Sequence, residues 1–380
     1  MIYLNNAATT YPKPKSVIHA VNECLNSIPQ GQFRSTFYDN ETVEHQCKRR
    51  LGSLLGIKDY DLIYFTSGAT EAYNLVINGL LLESKHIIAT TNEHNAFLRP
   101  CINSLENVTI DYVHCNELGE VNPKCIEKLI RHDTVAIFVN HCSNVTGAIQ
   151  DINAIGEIAK RFNLTYIVDA SQSAGCIPIN VDDGQIDILI FTGHKSLFGT
   201  SGIGGVYVKK TVPLMLTKFG GTGKDSHLLE VSKMSREIEV GTQNIPGIYA
   251  LNEGLKYILN RGLHNIYMKE RMIIHKLFNQ LSELKYIVLY GFKDNINAPH
   301  GPIISFNVKG MRPSDIGYIL SNSYNIIVRT GLHCAPLVHK DLGTYPEGTV
   351  RISISDLTKE EDMNRFLDAI REINNSIGVW

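Results

Sequence analysis

No apolar run in the 380-residue chain approaches the ~18 residues of a membrane span. The first ten residues, Met1 to Thr10, turn polar after four and show neither the basic nor the apolar region of a secretory leader. Charge of one sign is missing too. Thirty-six basic residues against 38 acidic ones leave −2, so no global field draws nucleic acid or an anionic membrane, and partners must be met at a local site. Cysteine is sparse: Cys24, Cys47, Cys101, Cys115, Cys125, Cys142, Cys176 and Cys334 contain no C-x-x-C pair. That excludes a disulfide scaffold and argues against a zinc ribbon or a thioredoxin motif. A reduced, cytoplasmic setting is expected, with most thiols acting as small buried hydrophobes. Internal repeats, low-complexity tracts and long linkers are also absent.

Two glycine-rich stretches resemble phosphate loops without the required spacing. In Gly220-Gly221-Thr222-Gly223-Lys224-Asp225 the positions that a Walker loop reserves for Gly and for Ser or Thr hold Lys218 and Asp225. Gly199 to Gly205 lacks G-x-G-x-x-G and runs into a strand pattern instead of a helix. A nicotinamide or nucleoside triphosphate enzyme therefore has no support. His333-Cys334 lacks two further ligands at usable spacing, so no metal site is expected.

What remains is an ordinary globular composition, long enough for two domains at ~150 residues each. From Ser16 to Tyr257, short apolar runs alternate with helical patterns, as in an α/β domain with a largely parallel sheet. Strands are predicted at Leu62–Phe65, His86–Ala89, Thr109–Val113, Thr134–Val139, Tyr166–Val168, Ile186–Phe191 and Gly205–Val208, with helices at Thr70–Leu82, Ile152–Phe162 and Tyr249–Asn260. Beyond residue 260 the texture changes to helix Ile266–Leu281, strands Ile287–Leu289, Ile303–Val308 and Ile326–Arg329, and a last helix Lys359–Ile373. The expected division is an N-terminal arm, 1–15, packing on a small α+β domain, 261–380, beside a large domain, 16–260. The basic clusters Lys48-Arg49-Arg50 and Lys209-Lys210 read as solvated surface.

Three elements carry chemistry. The first is the strand Leu62–Thr66, which turns through Ser67-Gly68 into a helix near Thr70, offering free amides and a helix dipole to an anion. Next, Tyr166-Ile-Val-Asp169-Ala-Ser-Gln172 delivers a carboxylate to a strand's C-terminal edge, where open α/β sheets bind ligands. Finally, Ile186–Thr192 ends in Gly193-His194-Lys195, placing an amine against an apolar wall, where its pKa falls and it becomes nucleophilic toward carbonyls. Taken singly, these are a capped helix, a capping Asp and a surface Lys. Their order and spacing together supply what pyridoxal 5'-phosphate needs: an anion site, a carboxylate for the pyridinium nitrogen and a Schiff-base lysine.

With these motifs, from Tyr3-Leu-Asn-Asn-Ala-Ala to Val350-Arg351-Ile-Ser, the chain resembles the class V aminotransferase family of fold-type I pyridoxal-phosphate enzymes, in its cysteine desulfurase and selenocysteine lyase branch. The resemblance implies a large domain with a mixed, mostly parallel sheet and a smaller α+β C-terminal domain. It gives Lys195 the Schiff base, Asp169 the ring nitrogen, Gln172 the phenolic oxygen and His94 the ring face with a proton-shuttling role. Asn144 meets the phenolic oxygen or the substrate carboxylate. Ala69, Thr70, Thr192 and His194 hold the phosphate, and Thr242 reaches the phosphate of a second copy, implying a homodimer. In Arg329-Thr-Gly-Leu-His333-Cys334-Ala-Pro, Cys334 matches the sulfur-accepting cysteine of the group II desulfurases. Its setting beside His333 and Arg329 favours thiolate. Arg351 matches the clamp for the substrate α-carboxylate, suited to a guanidinium fork.

The reaction so implied converts L-cysteine to L-alanine, with a Cys334 persulfide passed to an acceptor protein or thiol. L-Selenocysteine is a rival substrate, and a small amino-acid aminotransferase or an epimerase of the same family is an alternative. A catalytically silent sulfur carrier or scaffold is a third reading, at odds with the complete set Lys195, Asp169 and His94. Two stretches depart from the branch pattern. Ser196-Leu-Phe-Gly stands where an aromatic-Gly-Pro turn is usual, and Asp356-Leu-Thr replaces Tyr-Asn-Thr.

Overall fold

The computed structural model describes residues 1–28, 42–80, 82, 84–104, 106–223, 227–230, 232, 238–292 and 298–376. Thirteen strands occur among them: β1 (Ile2–Tyr3), β2 (Ile63–Thr66), β3 (His86–Thr90), β4 (Thr109–Val113), β5 (Thr134–Asn140), β6 (Thr165–Asp169), β7 (Ile188–Thr192), β8 (Gly204–Val208), β9 (Ile287–Tyr290), β10 (Ile303–Val308), β11 (Ile326–Ile327), β12 (Arg329–Gly331) and β13 (Thr349–Ser353). Seven form one sheet in the order β2-β8-β7-β6-β5-β3-β4. Only β8 runs against its neighbours, pairing antiparallel with both β2 and β7. Because the inner strands β3, β5, β6 and β7 are covered on both faces, they read as largely apolar runs, and successive residues serve opposite cores. Ile88, Ile137, Val139 and Val168 pack on one side with helices Val43–Leu55 and Ile245–Arg261. Ile87, Ala89, Phe138 and Ile167 pack on the other with helices Ala69–Gly79 and Asn95–Ser104.

The parallel strands bring the ends of β2, β3, β5, β6 and β7 to one edge. There stand Thr66, Asn140, Asp169 and Thr192.

A second sheet, β12-β13-β10-β9, is antiparallel. Ile304, Phe306, Val350 and Ile352 form its core with Ile274, Leu277, Ile316, Leu320, Phe366 and Ile370 from helices Leu263–Ser282, Pro313–Tyr324 and Glu360–Ser376. β1 pairs in parallel with β11, and Leu4 enters the same core. Among the described residues no helix is long and apolar enough to cross a membrane.

Three expectations change. The single strand at 326–329 is two strands in different sheets: Ile326–Ile327 follows β1, and Arg329–Gly331 pairs with β13. The helix read from Tyr249 begins at Ile245, where the Asn244 side chain accepts the Gly247 amide at 3.1 Å and Pro246 occupies the first turn. Lys48 is not solvated surface. It is buried between Glu44 (3.3 Å) and Glu239 (3.2 Å), and Glu239 also accepts the Phe65 amide at 2.5 Å, so the cation ties the helix Val43–Leu55 to β2. Of the rejected phosphate loop, Lys224 and Asp225 lie outside the described residues.

Candidate active site

Beyond the sheet edge lies a cleft of about 360 Å³ lined by residues of both sheets' connections and of the N-terminal arm. Its anionic end is the turn from β2 into the helix Ala69–Gly79. Gly68 sits at φ +151°, a conformation strained for any residue with a Cβ, and gives the helix no side-chain cap. The first amides of the helix, at Ala69 and Thr70, therefore have no intrahelical partner, and they carry the positive end of the dipole. Thr192 and His194, from the end of β7, line the same cleft. Burial keeps His194 neutral, lowering its pKa to about 4 with help from Lys195 and Lys13. Its Nδ1 is buried without a partner, as are Ser171 Oγ and Asn144 Oδ1. Three orphaned polar atoms around one cleft call for a ligand that bonds them.

Asp169 ends β6 at 4% exposure and accepts the Ser171 amide at 2.7 Å. Lys195 lines the same cleft. Burial lowers the Lys195 pKa to about 8; Asp169 opposes this, and Arg351 and Arg329 reinforce it. A lysine so placed carries free amine near neutral pH, the form that attacks carbonyls. Gln172 also lines the cleft and donates to the Ala7 carbonyl at 2.9 Å, bringing the N-terminal arm against the wall.

His94 precedes the helix Asn95–Ser104, and its Nδ1 accepts the Ala96 amide at 3.0 Å. Burial, with Lys195, Arg329 and Arg351, lowers its pKa to about 3. The ring is a neutral plate with its proton on Nε2.

The small sheet supplies the other wall. β12 and β13 pair Arg329 directly opposite Arg351. Two like charges in that register are unfavourable unless an anion joins them. Arg351 is the largest fully buried side chain among the described residues, donating to the Asn144 carbonyl at 2.8 Å and to Asn5 Oδ1 at 3.1 Å. Its Nε has no partner, and none of these acceptors is charged.

Cys334 stands half-buried, with Arg329 Nη2 at 3.2 Å from its sulfur. His333 and Cys334 adopt φ +50° and +61°, costing about 1–2 kcal/mol each, and the loop is held against this strain. Asn144 Nδ2 donates to the His333 carbonyl and the Asn95 amide to the Cys334 carbonyl, both at 2.7 Å. The expectation that His333 adds positive charge beside the thiol is corrected. Burial, with Arg351, His339 and Arg329, holds its pKa well below the usual value, and its Nε2 bonds Thr349 at 3.1 Å. The positive partner of the thiol is Arg329.

Ala69, Thr70, His94, Asn144, Asp169, Gln172, Thr192, His194, Lys195 and Arg329 thus meet in one place, with Cys334 and Arg351 bonded to its walls. Thr242 does not join them; it is exposed and outside the cleft of its own chain. Sequence reasoning gave no role to Asn5, Ala7, Ala8, Asn140, Ser171, Ser201 or Gly202. The arm's motif Tyr3-Leu-Asn-Asn-Ala-Ala was the available signal for the first three. No group of three or more His, Cys, Asp or Glu among the described residues could hold a metal ion.

Over residues 2–366 the chain matches the aminotransferase class-V family. The chain belongs to that family. It is similar to a probable cysteine desulfurase of Borreliella burgdorferi, 31% identical over 98% of this chain and 92% of that one. A probable cysteine desulfurase of Pyrococcus abyssi is 30% identical, over 99% and 95% of the two chains. Among solved structures, an apo cysteine desulfurase from Thermococcus onnurineus NA1 superposes with a TM-score of 0.86 at 29% identity, covering 99% of this chain and 95% of that one. The fold is that of fold-type I pyridoxal-phosphate enzymes, and the family's cofactor is pyridoxal 5'-phosphate. The cleft fits that group. The uncapped helix start and the orphaned His194 Nδ1 suit a phosphate, buried Asp169 suits a protonated ring nitrogen, and Lys195 suits a carbonyl.

Proposed function

We propose that the protein is a pyridoxal-phosphate-dependent cysteine desulfurase that converts L-cysteine to L-alanine and leaves the sulfur on Cys334 for transfer to an acceptor protein or thiol. The observation that carries this reading is the Cys334 thiol, 3.2 Å from Arg329, on a loop bonded to the wall of the Lys195 cleft. A transaminase or epimerase has no use for that arrangement.

Bound pyridoxal phosphate supplies a carbonyl for the substrate amine and a ring that stores the electron pair left at Cα. Ala69, Thr70, Thr192 and His194 would hold its phosphate, Asp169 would keep its ring nitrogen protonated, and Gln172 and Asn144 would serve its phenolic oxygen. His94 would offer its neutral ring face to the group, with its Nε2–H as a donor. Lys195 would hold the cofactor's carbonyl carbon and, as free amine, would accept the Cα proton at Nζ. Arg351, with Asn144 and Arg329, binds the substrate carboxylate. Cys334, its sulfur 3.2 Å from Arg329 Nη2, attacks the substrate sulfur as thiolate. The Cβ–S bond breaks, its electron pair stays on the three-carbon fragment, and that fragment takes up one proton at Cβ, regains one at Cα from Lys195 Nζ, and leaves as alanine. Cys334 keeps the sulfur as persulfide. Oxidation at sulfur matches reduction at carbon, so no external oxidant is needed.

The exposure of Thr242, outside its own cleft, supports a homodimer in which it reaches the second copy's phosphate. Eight unpaired thiols support a reducing, cytoplasmic setting. The two sheets with their separate cores support a division at 1–15, 16–260 and 261–380.

Mass spectrometry of holoenzyme treated with L-cysteine tests the reading. A gain of roughly 32 Da, one sulfur, is expected on Cys334, with alanine released. Cys334→Ala should keep the bound cofactor and lose both persulfide and turnover of cysteine. Native rates of alanine formation in that variant would refute the sulfur-acceptor role.

A further inference from the structure

Cys334 is followed at once by the six-residue helix Pro336–Asp341, which leads away from the cleft over the edge of the large sheet. Asp341 closes this helix at its C-terminal end, where the dipole disfavours a carboxylate. It is nonetheless nine-tenths buried, and four donors surround it. Thr91 Oγ donates to Oδ2 at 2.6 Å and the Cys115 amide to the same oxygen at 3.0 Å. His114 Nδ1 meets Oδ1 at 2.7 Å, and Cys115 Sγ lies 3.4 Å from Oδ2.

All four donors belong to the connections leaving β3 and β4, the two strands at one edge of the large sheet. Thr91 is itself fixed there, its amide bonded to the Val113 carbonyl at 3.0 Å and its hydroxyl accepting the Cys115 amide at 3.1 Å. Beneath the contact, Ala335 and Val338 pack with Val145 and Cys115. The Cys334 segment is therefore tied to the large sheet at three places: Asn144 to His333, Asn95 to Cys334, and Asp341 to Thr91, His114 and Cys115. The first two hold the backbone in its left-handed turn. The third fixes where the following helix lies, and with it the direction from which the thiol approaches the cleft.

We propose that Asp341 is a positioning residue for sulfur transfer, its carboxylate latching the segment that bears Cys334 to the β3–β4 edge so that the thiol stands at a fixed distance from the substrate sulfur. This rests on the assignment of Cys334 as sulfur acceptor. A nucleophile displaced by about 1 Å loses rate by about 100-fold while substrate binding is spared. Cys115 adds only hydrogen bonds: burial and the neighbouring Asp341 push its thiol up to about 12, so it does not relay sulfur.

The test uses holoenzyme carrying Asp341→Ala, Asp341→Glu, Thr91→Val or His114→Ala, the last at an exposed position where folding is secure. Three quantities are read: the single-turnover rate of persulfide formation on Cys334, KM for L-cysteine, and the rate of Cys334 alkylation by iodoacetamide between pH 6 and 9. Asp341→Ala should slow persulfide formation about 10- to 100-fold with KM within about twofold and cofactor content unchanged, and should alter the pH profile of alkylation. His114→Ala and Thr91→Val should follow the same pattern with smaller losses, and Asp341→Glu should recover part of the rate. Persulfide formation and alkylation within about twofold of native in His114→Ala, Thr91→Val and every folded Asp341 variant would overturn the proposal. Failure of the underlying assignment looks different, because Cys334→Ala would then release alanine at the native rate whatever Asp341 does.

Discussion

Replacing Arg351 by methionine should leave the protein about as stable as before, or more so, while removing its grip on cysteine. The guanidinium is fully buried with two neutral oxygens for partners, Asn144 O at 2.8 Å and Asn5 Oδ1 at 3.1 Å. Burial, compounded by Arg329, lowers its pKa from 12.5 to about 9, which at about 1.4 kcal/mol per pKa unit is ~5 kcal/mol against the charged form. Methionine removes that penalty, fills a similar volume and leaves two acceptors unpaired at roughly 1–3 kcal/mol each. The net expectation runs from about 1 kcal/mol lost to about 3 kcal/mol gained, a Tm close to native or a few degrees higher. The same substitution deletes a charge-assisted fork to the substrate carboxylate, about 3 kcal/mol or more, so kcat/KM for cysteine should fall about 100-fold at least. Arg351→Lys keeps the charge without the fork and should fall between the two. Thermal melts and alanine release from the same preparations check both halves. A methionine variant that melts clearly lower, or one that keeps kcat/KM within about twofold, would refute the idea that this arginine is held uncompensated for a carboxylate.

The rate at which apoprotein captures pyridoxal phosphate, followed by absorbance, should climb about tenfold per pH unit up to about 8 and then level off, because free Lys195 amine is the attacking form and its pKa is lowered to about 8. A climb continuing toward the ordinary 10.5 would show an unperturbed lysine. Asp356→Ala should lower stability by about 3–5 kcal/mol, since the buried carboxylate accepts from Tyr257 at 2.5 Å and pairs with Arg261 at 3.3 Å and Lys269 at 3.2 Å. Burial raises the Asp356 pKa, but the hydrogen bond from Tyr257 and the two cations outweigh it, so the folded value lies below the ordinary 3.8. The contribution is present above that value and lost on acidification through the folded one. A Tm unchanged at neutral pH would remove the clamp.

The inner strands of the large sheet were legible to within a residue or two because each is an apolar run broken by turns, and burial on both faces leaves no other pattern for such runs. Lys195, Asp169 and the Gly68 turn were legible for a related reason, since each sits in or just beyond the sequence that ends a strand. Lys48 was misread because its partner Glu239 is 191 residues away, and a charge cluster shows nothing of a distant carboxylate. The break between β11 and β12 was hidden because local composition does not say that adjacent residues will pair with different sheets. The resemblance led to Asp356-Leu-Thr as a departure. What the aspartate does, joining the helices Ile245–Arg261 and Leu263–Ser282, needs the packing of both.

A chain of net charge −2 gathers three cations, Lys195, Arg329 and Arg351, around a cleft whose carboxylates are Asp169 and Glu71, the latter already paired with Lys218. The imbalance fits ligands that bring anions to both ends, a phosphate at the Ala69 helix start and an α-carboxylate at the arginine pair. Neither end distinguishes one small amino acid from another, because amine and carboxylate are common to all of them. Discrimination must therefore fall on the side chain, and the group stationed for it is Cys334, drawn toward Arg329 and held in a strained turn by Asn144 and Asn95. Loosening that turn should cost the reaction at sulfur before it costs the binding of cysteine.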